Sequence, residues 1–294
     1  MTPNADGGER PGAKLVPVGA IQAWGHMERA LPNLDERFRN TRDGIGAELP
    51  LIGLWKEREA LVGSIRRRES LLLLGPGGSG KTALIRSALG ADLREEPLVH
   101  VPRFETLHDL LVQIARALIE RRHRQFERSV RTASGDWEKW LQAQTSIHLK
   151  GLLWTALEKE PLPILLDGVN RSGYQTYRFL QRLYFAPGMA IVATARDHSH
   201  LGELARLFWD PKKTRRLQPL SDDESVRLFE SAADYYHLRE LHLDDFRQKV
   251  LDSANGNPGQ IVEMCRLASN PVYVTSERRV KFAPLRIDVM IRFL

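Results

Sequence analysis

The chain has 294 residues, of which 42% are hydrophobic and 27% charged, which excludes collagen-like, mucin-like and wholly disordered classes. Its 43 basic and 37 acidic residues leave a formal charge of +6, compatible with a polyanionic partner but mild for a chain of this size. The single cysteine, Cys265, excludes an internal disulfide framework and a Cys-rich zinc site, and points to a reducing compartment.

Residues 1–49 carry many breakers, among them Pro3, Gly7, Pro11, Pro17, Pro32 and Gly44, and read as an arm or linker with one short helix at most. Met1-Thr2-Pro3-Asn4 lacks the basic-then-apolar order of a secretion signal, and no apolar run nears the roughly 20 residues of a membrane span. A cytoplasmic protein without a membrane partner is expected.

Residues 50–219 alternate strands and helices. Ser70 to Leu74 is an apolar run stopped by Gly75, the profile of a strand buried on both faces, and helical spacing follows over Lys81 to Leu89. Leu98 to Val101 reads as a second strand. Leu107 to Arg131 reads as one long helical stretch, and the spacing from Trp137 to Leu157 gives one or two further helices. The strand Ile164 to Asp167, a helix over Tyr177 to Phe185, the strand Ala190 to Thr194 and a short strand near Arg216 to Leu220 complete the pattern. Such alternation predicts a parallel, five-stranded α/β sheet flanked by helices.

Residues 220–294 read as a small helical lid domain. Ser221, Asp222 and Glu224 open one helix, a second runs from Asp244 to Ala254, and a third starts at Pro258, where proline suits the first helical position. Val272 to Phe282 alternates enough to suggest a hairpin.

The chemistry is concentrated in Gly75-Pro76-Gly77-Gly78-Ser79-Gly80-Lys81-Thr82, which satisfies G-x-x-x-x-G-K-[ST] in full between a buried strand and a helix. Glycines let the backbone curl so that N–H groups face phosphate oxygens, and the helix start adds unsatisfied donors and the positive dipole end. Lys81 is expected to bridge the β- and γ-phosphates and Thr82 to ligate Mg²⁺, with Gly75 through Ala83 forming the nucleotide cradle. Asp167, at the carboxyl end of an apolar strand, is expected to hold the magnesium shell.

Hydrolysis needs a base for the attacking water. Gly168, Val169, Asn170 and Arg171 follow Asp167, and an asparagine orients a water without taking its proton. Slow turnover is expected unless a base comes from another strand, another subunit or a partner, with Lys81, Asp167, Asn170 and Arg196 as the catalytic set. Thr194-Ala195-Arg196 closes the next strand, where a polar side chain and a fixed charge meet the γ-phosphate.

These motifs resemble the P-loop ATPases of the AAA+/STAND branch, the group of the NACHT and NB-ARC modules and the origin-recognition and transposition-regulator ATPases. Pro50-Leu51-Ile52-Gly53 with Glu57 to Leu61 resembles the family's opening segment, which implies that Ile52 lines the adenine pocket. Ile164 to Val169 resembles the second phosphate motif, with Asn170 and Arg171 standing where NACHT proteins carry Asp and Glu. Thr194 to Arg196 resembles the sensor segment, Leu217 to Phe229 the entry to the lid, and Gly256-Asn257-Pro258 the lid's Gly-x-Pro motif, which implies a nucleotide contact from Pro258. The resemblance implies ATP or ADP with Mg²⁺ as cofactors, a nucleotide-dependent switch or assembly module, and a homo-oligomer or partner protein.

Two alternatives stand beside that reading. One is an AAA+ regulator assembling on duplex DNA through Arg116, Arg121, Arg122, Arg124, Arg128 and Arg131, with Lys212, Lys213, Arg215 and Arg216 as a second basic run. The other is a scaffold or signalling module holding ATP without hydrolysing it. Arg206 is considered as a trans-acting arginine finger, and the bland reading of it is a helix-surface charge. His198 and His200 lack ligand-spaced partners, and Cys265 reads as packing.

Overall fold

The computed structural model describes residues 49–130 and 137–293; the expectations for residues 1–48 and for Arg131 lie outside these. Five parallel strands form one sheet: β1 (Leu71–Leu74), β2 (Val99–Val101), β3 (Ile164–Leu166), β4 (Ile191–Ala195) and β5 (Thr214–Arg216), in the order β2-β3-β4-β1-β5. The strand placed near residues 216–220 runs over Thr214–Arg216, at the exposed sheet edge, which accounts for its polar sequence.

Two-residue periodicity divides the leucines of β1 between two cores. Leu71 and Leu73 join Leu165, Val192 and the apolar stripes of α1 (Trp55–Arg66) and α2 (Lys81–Gly90). Leu72 and Leu74 join Val99, Val101, Ile164, Leu166 and the helices α3 (Leu107–Glu120), α6 (Ser146–Lys159) and α7 (Tyr174–Tyr184). All four are buried, each contributing about 1.5–3 kcal/mol of transfer free energy. The result is a three-layer α/β/α arrangement with both sheet faces covered.

Leu107 to Val130 is not one helix. It breaks after Glu120, turns through Arg122 at φ 53°, and resumes as α4 (Arg124–Val130), followed by α5 (Trp137–Ala143). Buried His123 holds the turn, with Nε2 2.9 Å from the Glu160 carbonyl and the Phe126 amide donating to Nδ1.

After β5 the chain is helical: α8 (Asp222–Tyr235), α9 (Leu243–Ala254) and α10 (Pro258–Ala268). Ser221 and Glu224 close a reciprocal capping box on α8, which packs along α10. Residues 272–282 close on a single antiparallel bridge, Val274 to Val280, instead of a hairpin of paired strands. A further helix, α11 (Phe282–Phe293), follows; Pro284 lies in its first turn, where no N–H is needed, and Leu285 and Val289, four apart, are buried. Cys265 is fully buried and burial pushes its thiol pKa up, so it is unreactive packing. No helix among the described residues is long and apolar enough to cross a membrane.

Candidate functional site

The loop 75–80 leaves β1 and enters α2 without a side-chain cap on that helix, so the first amides of α2 are available to a ligand. Gly78 and Gly80 have φ of 77° and 91°, the left-handed region that a side chain strains, and these two bends curl the loop. The Gly75 amide donates to the Ala195 carbonyl at 3.2 Å, tying the loop to the end of β4, and Ser79 N–H closes a turn on Pro76 at 3.2 Å.

Lys81 lies across this loop. Its ammonium donates to the carbonyls of Gly75 (2.5 Å) and Pro76 (2.9 Å) and to Ser79 Oγ (3.1 Å). Burial lowers its pKa from 10.5 to about 8, with Asp167 opposing the shift and Arg196 adding to it. Asp167 and Arg196 therefore both lie near enough to act on the same ammonium.

Asp167 is 4% exposed. Thr194 Oγ1 donates to its Oδ1 at 2.7 Å and accepts from the Gly168 amide at 2.7 Å, while Val169 N–H donates to the Thr194 carbonyl at 2.8 Å. Sequence reasoning assigns the polar side chain of this strand to the γ-phosphate; in the structure the fully buried Thr194 hydroxyl instead orients the carboxylate. Asn170 is exposed beyond Val169, and Arg171, at φ 47°, donates its amide to the His200 carbonyl. Thr82 and Ala83 are exposed at the start of α2.

The opening segment comes to the same place. Leu54, buried at φ 57°, approaches Gly80 so closely that a methyl group there would lie 2.9 Å from Leu54 Cδ1. Gly53 sits against Leu220 and Glu224, and Ile52 beside it is half-buried. From the other side Pro258 lies 3.6 Å from the same point on Gly80.

Two residues to which sequence reasoning assigned no contact with the loop complete the site. Asn257 Nδ2 donates to the Gly77 carbonyl at 2.9 Å, and the Gly259 amide donates to the Gly78 carbonyl at 2.8 Å. The start of α10 is thus hydrogen-bonded to the phosphate loop itself. The end of α11 also reaches it, with the Phe293 ring against Gly77 and Gly78. Only the Asn-Pro start signal hinted at the first contact; nothing in the sequence pointed to the second.

Other candidates stand elsewhere. Arg206 pairs with Glu203 at 3.0 Å and lies 5.6 Å from the Tyr177 ring centroid. In the arginine-rich stretch Arg116 pairs with Glu138 and Arg121 donates to the Glu96 carbonyl, while Arg122, Arg124 and Arg128 are exposed on the turn and on α4. No cluster of three or more His, Cys, Asp or Glu residues suited to a metal occurs among the described residues. The donors offered to magnesium are hard oxygens, the Thr82 hydroxyl and the Asp167 carboxylate, a set that fits Mg²⁺ when phosphate and water complete it.

No protein-family model and no curated protein matches the chain. Among solved structures, Cdc6p from Pyrobaculum aerophilum superposes with a TM-score of 0.54 at 15% identity, over 78% of this chain and 64% of that one. A STAND protein with a tetratricopeptide repeat sensor from Pyrococcus horikoshii gives 0.48 at 16% identity, over 83% of this chain and 33% of that one. The Walker-type ATPase of Pyrococcus abyssi gives 0.47 at 16% identity, over 74% of this chain and 67% of that one. The chain thus spans less than two thirds of the Cdc6p chain and one third of the STAND chain. Together with the strand order and the phosphate loop, the likeness to Cdc6p assigns the fold: this chain has a P-loop NTPase fold.

Proposed function

We propose that the chain is an ATP-binding switch or assembly module whose α8–α10 region acts as a lid domain that moves with the state of the nucleotide, and that it hydrolyses ATP slowly. The observation that carries this reading is the pair of hydrogen bonds from Asn257 and Gly259 to the carbonyls of Gly77 and Gly78. A ligand that reshapes the phosphate loop must strain or release these bonds, which gives it different interaction energies with two lid positions.

In this reading the loop amides and Lys81 bind the β- and γ-phosphates, and Ile52, Leu54 and Pro258 bound the nucleoside end. Lys81 would exchange its bonds to loop carbonyls for phosphate oxygens. Thr82 and Asp167 would hold Mg²⁺, which neutralises developing phosphate charge. Thr194 fixes the Asp167 carboxylate, Arg196 supplies a fixed cation, and Asn170 orients water without accepting its proton. A missing base is what makes turnover slow.

Phosphate release from γ-labelled ATP, with Lys81→Ala as control, tests turnover. Hydrogen exchange over residues 220–268 with ATP, with ADP and without nucleotide tests the switch. Release equal in wild type and Lys81→Ala would remove the hydrolytic reading, and identical exchange in all three states would remove the switch.

A further inference from the structure

Helices α6 and α7 lie in the layer on the other side of the sheet from α2, and between them runs a surface groove of about 800 Å³. Its length follows the two helices. Lys150 stands with Tyr174 and Arg178 at one end, Trp154 packs on Phe179 at the middle with ring centroids 5.7 Å apart, and Arg182 and Phe185 stand at the other end.

Two properties distinguish this groove from ordinary surface. Aromatic side chains are left in water along it: Tyr174 is 52% exposed and Phe185 69%. They are eleven helical residues apart, about 16 Å, which is the span of three turns of a docked helix. Large apolar surface gathered in one concavity marks an interaction site, whereas isolated exposed residues do not. Trp154 adds a polar gap: its Nε1–H is shut off from solvent and meets no acceptor, which is uncommon for a buried donor.

The second property is charge. α7 contains Arg178 and Arg182 and no acidic residue; α6 contains Lys150 and Lys159 with Glu158 as its sole acid. Glu158 is already committed to Arg182, whose guanidinium also lies 4.5 Å over the Trp154 ring. Lys150 and Arg178 meet no carboxylate among the described residues; the polar partner of Arg178 is Gln181 Oε1 at 3.3 Å. The groove is therefore apolar along its floor and basic along its rim. Two uncompensated cations are too few for a nucleic-acid surface, whose affinity comes from neutralising about six to ten phosphates. They match the spaced carboxylates of a peptide.

We infer that the α6–α7 groove docks an acidic, amphipathic segment of a partner protein, with apolar side chains along the groove between Tyr174 and Phe185 and carboxylates on Lys150 and Arg178. The groove takes no part in nucleotide chemistry, so the inference stands or falls apart from the proposed ATPase. Its position is nonetheless informative, because α7 begins at the end of the 167–173 segment that carries Asp167.

The probe is a displayed library of random peptides of about 16 residues, selected on the immobilised full chain. Recovered peptides are then measured by fluorescence anisotropy against wild type, Arg178→Lys and the double variant Arg178→Glu/Phe185→Ser. Both changed residues are exposed, and Tyr174→Ser replaces the double variant should thermal unfolding show that it does not fold. The expected peptides are net acidic with apolar residues at helical spacing, bind the double variant about tenfold or more weakly, and keep their affinity for Arg178→Lys. Selection of neutral or basic peptides, of peptides indifferent to the double variant, or of none, overturns the inference. So does groove-dependent binding of a fluorescein-labelled single-stranded oligonucleotide that exceeds peptide binding.

Discussion

Asn257 serves the phosphate loop and its own helix with one amide: Nδ2 donates to the Gly77 carbonyl at 2.9 Å, while Oδ1 accepts from the Gln260 amide at 3.2 Å as the cap of α10. The two roles separate by substitution. Asn257→Asp keeps the cap acceptor but turns a carboxylate oxygen toward the Gly77 carbonyl in place of the donor, so it should lose the worth of that hydrogen bond, about 0.5–1.5 kcal/mol. Asn257→Ala loses the cap as well and should cost about 1 kcal/mol more than the loss of the Gly77 bond alone. Both variants should speed amide exchange over residues 75–82 relative to wild type. Equal exchange in all three would mean that the bond does not hold the loop.

Gly259 makes a sharper test of the same contact. A Cβ there would lie 2.6 Å from Gly78 Cα and 2.9 Å from the Gly78 carbonyl oxygen, backbone atoms that have no rotamer to yield. Gly259→Ala should lift the start of α10 from the loop and weaken nucleotide binding about tenfold, even though alanine favours helix by about 1 kcal/mol. Gly90→Ala is the matched control, since a Cβ there meets nothing within 4 Å. Titration with a fluorescent nucleotide reads both.

The sheet and the phosphate loop are legible in the sequence for a common reason: short apolar runs such as Leu71–Leu74 and Ile164–Leu166 end at residues, Gly75 and Asp167, that mark the carboxyl edge where ligands bind. What is not legible is held by long-range contacts. The periodicity of Leu107 to Val130 continues through Arg121–His123 because the break is fixed by a carbonyl at Glu160, 37 residues away. The two-residue alternation around Val274 and Val280 hides that only one bridge forms and that a helix follows. In the candidate site, Asn257 reads locally as a cap; its bond to Gly77 crosses 180 residues. The Thr194–Asp167 bond is likewise a matter of strand adjacency, which the order β3-β4 supplies and spacing does not.

Lys81 gives the pH dependence. Burial brings its pKa down to about 8 from 10.5, so between these values the unfolded chain binds more protons than the folded one. This group's contribution to stability is therefore poorest below pH 8 and improves as pH rises toward 10.5. Nucleotide binding runs the other way. A bound polyphosphate favours the ammonium and raises its pKa again, so above pH 8 binding takes up a proton and affinity should fall by up to about tenfold per unit. Calorimetric titrations in two buffers of different ionisation enthalpy should show this uptake at pH 9 and lose it in Lys81→Met. A flat affinity from pH 7 to 9.5 would contradict the assigned phosphate contact.

Glu263, 1% exposed, is held by Arg266 through both carboxylate oxygens and by Arg292 at 2.7 Å, and this second cation anchors the end of α11 beside Phe293. Arg292→Ala removes a charge-assisted bond from a buried carboxylate and should destabilise the protein by about 1.5–3 kcal/mol in denaturant unfolding. Phe293→Ala leaves that pair intact but uncovers Gly77 and Gly78, so it should raise the association rate of nucleotide without a comparable loss of stability. An unchanged stopped-flow rate in Phe293→Ala would show that the ring does not obstruct the loop.

Asn170 is the residue at which the proposed mechanism is most exposed. It is solvent-accessible, and its side chain meets no hydrogen-bond partner among the described residues. Replacing it with a group able to accept a proton should therefore change rate and little else. A positioned base contributes about 10²–10⁴-fold, and even an imperfectly placed Asn170→Glu should increase phosphate release about tenfold or more, while Asn170→Ala should leave nucleotide affinity unchanged. If wild type turns over rapidly and Asn170→Glu adds nothing, a base must reach the water from elsewhere, and the slow-switch reading loses its chemical reason.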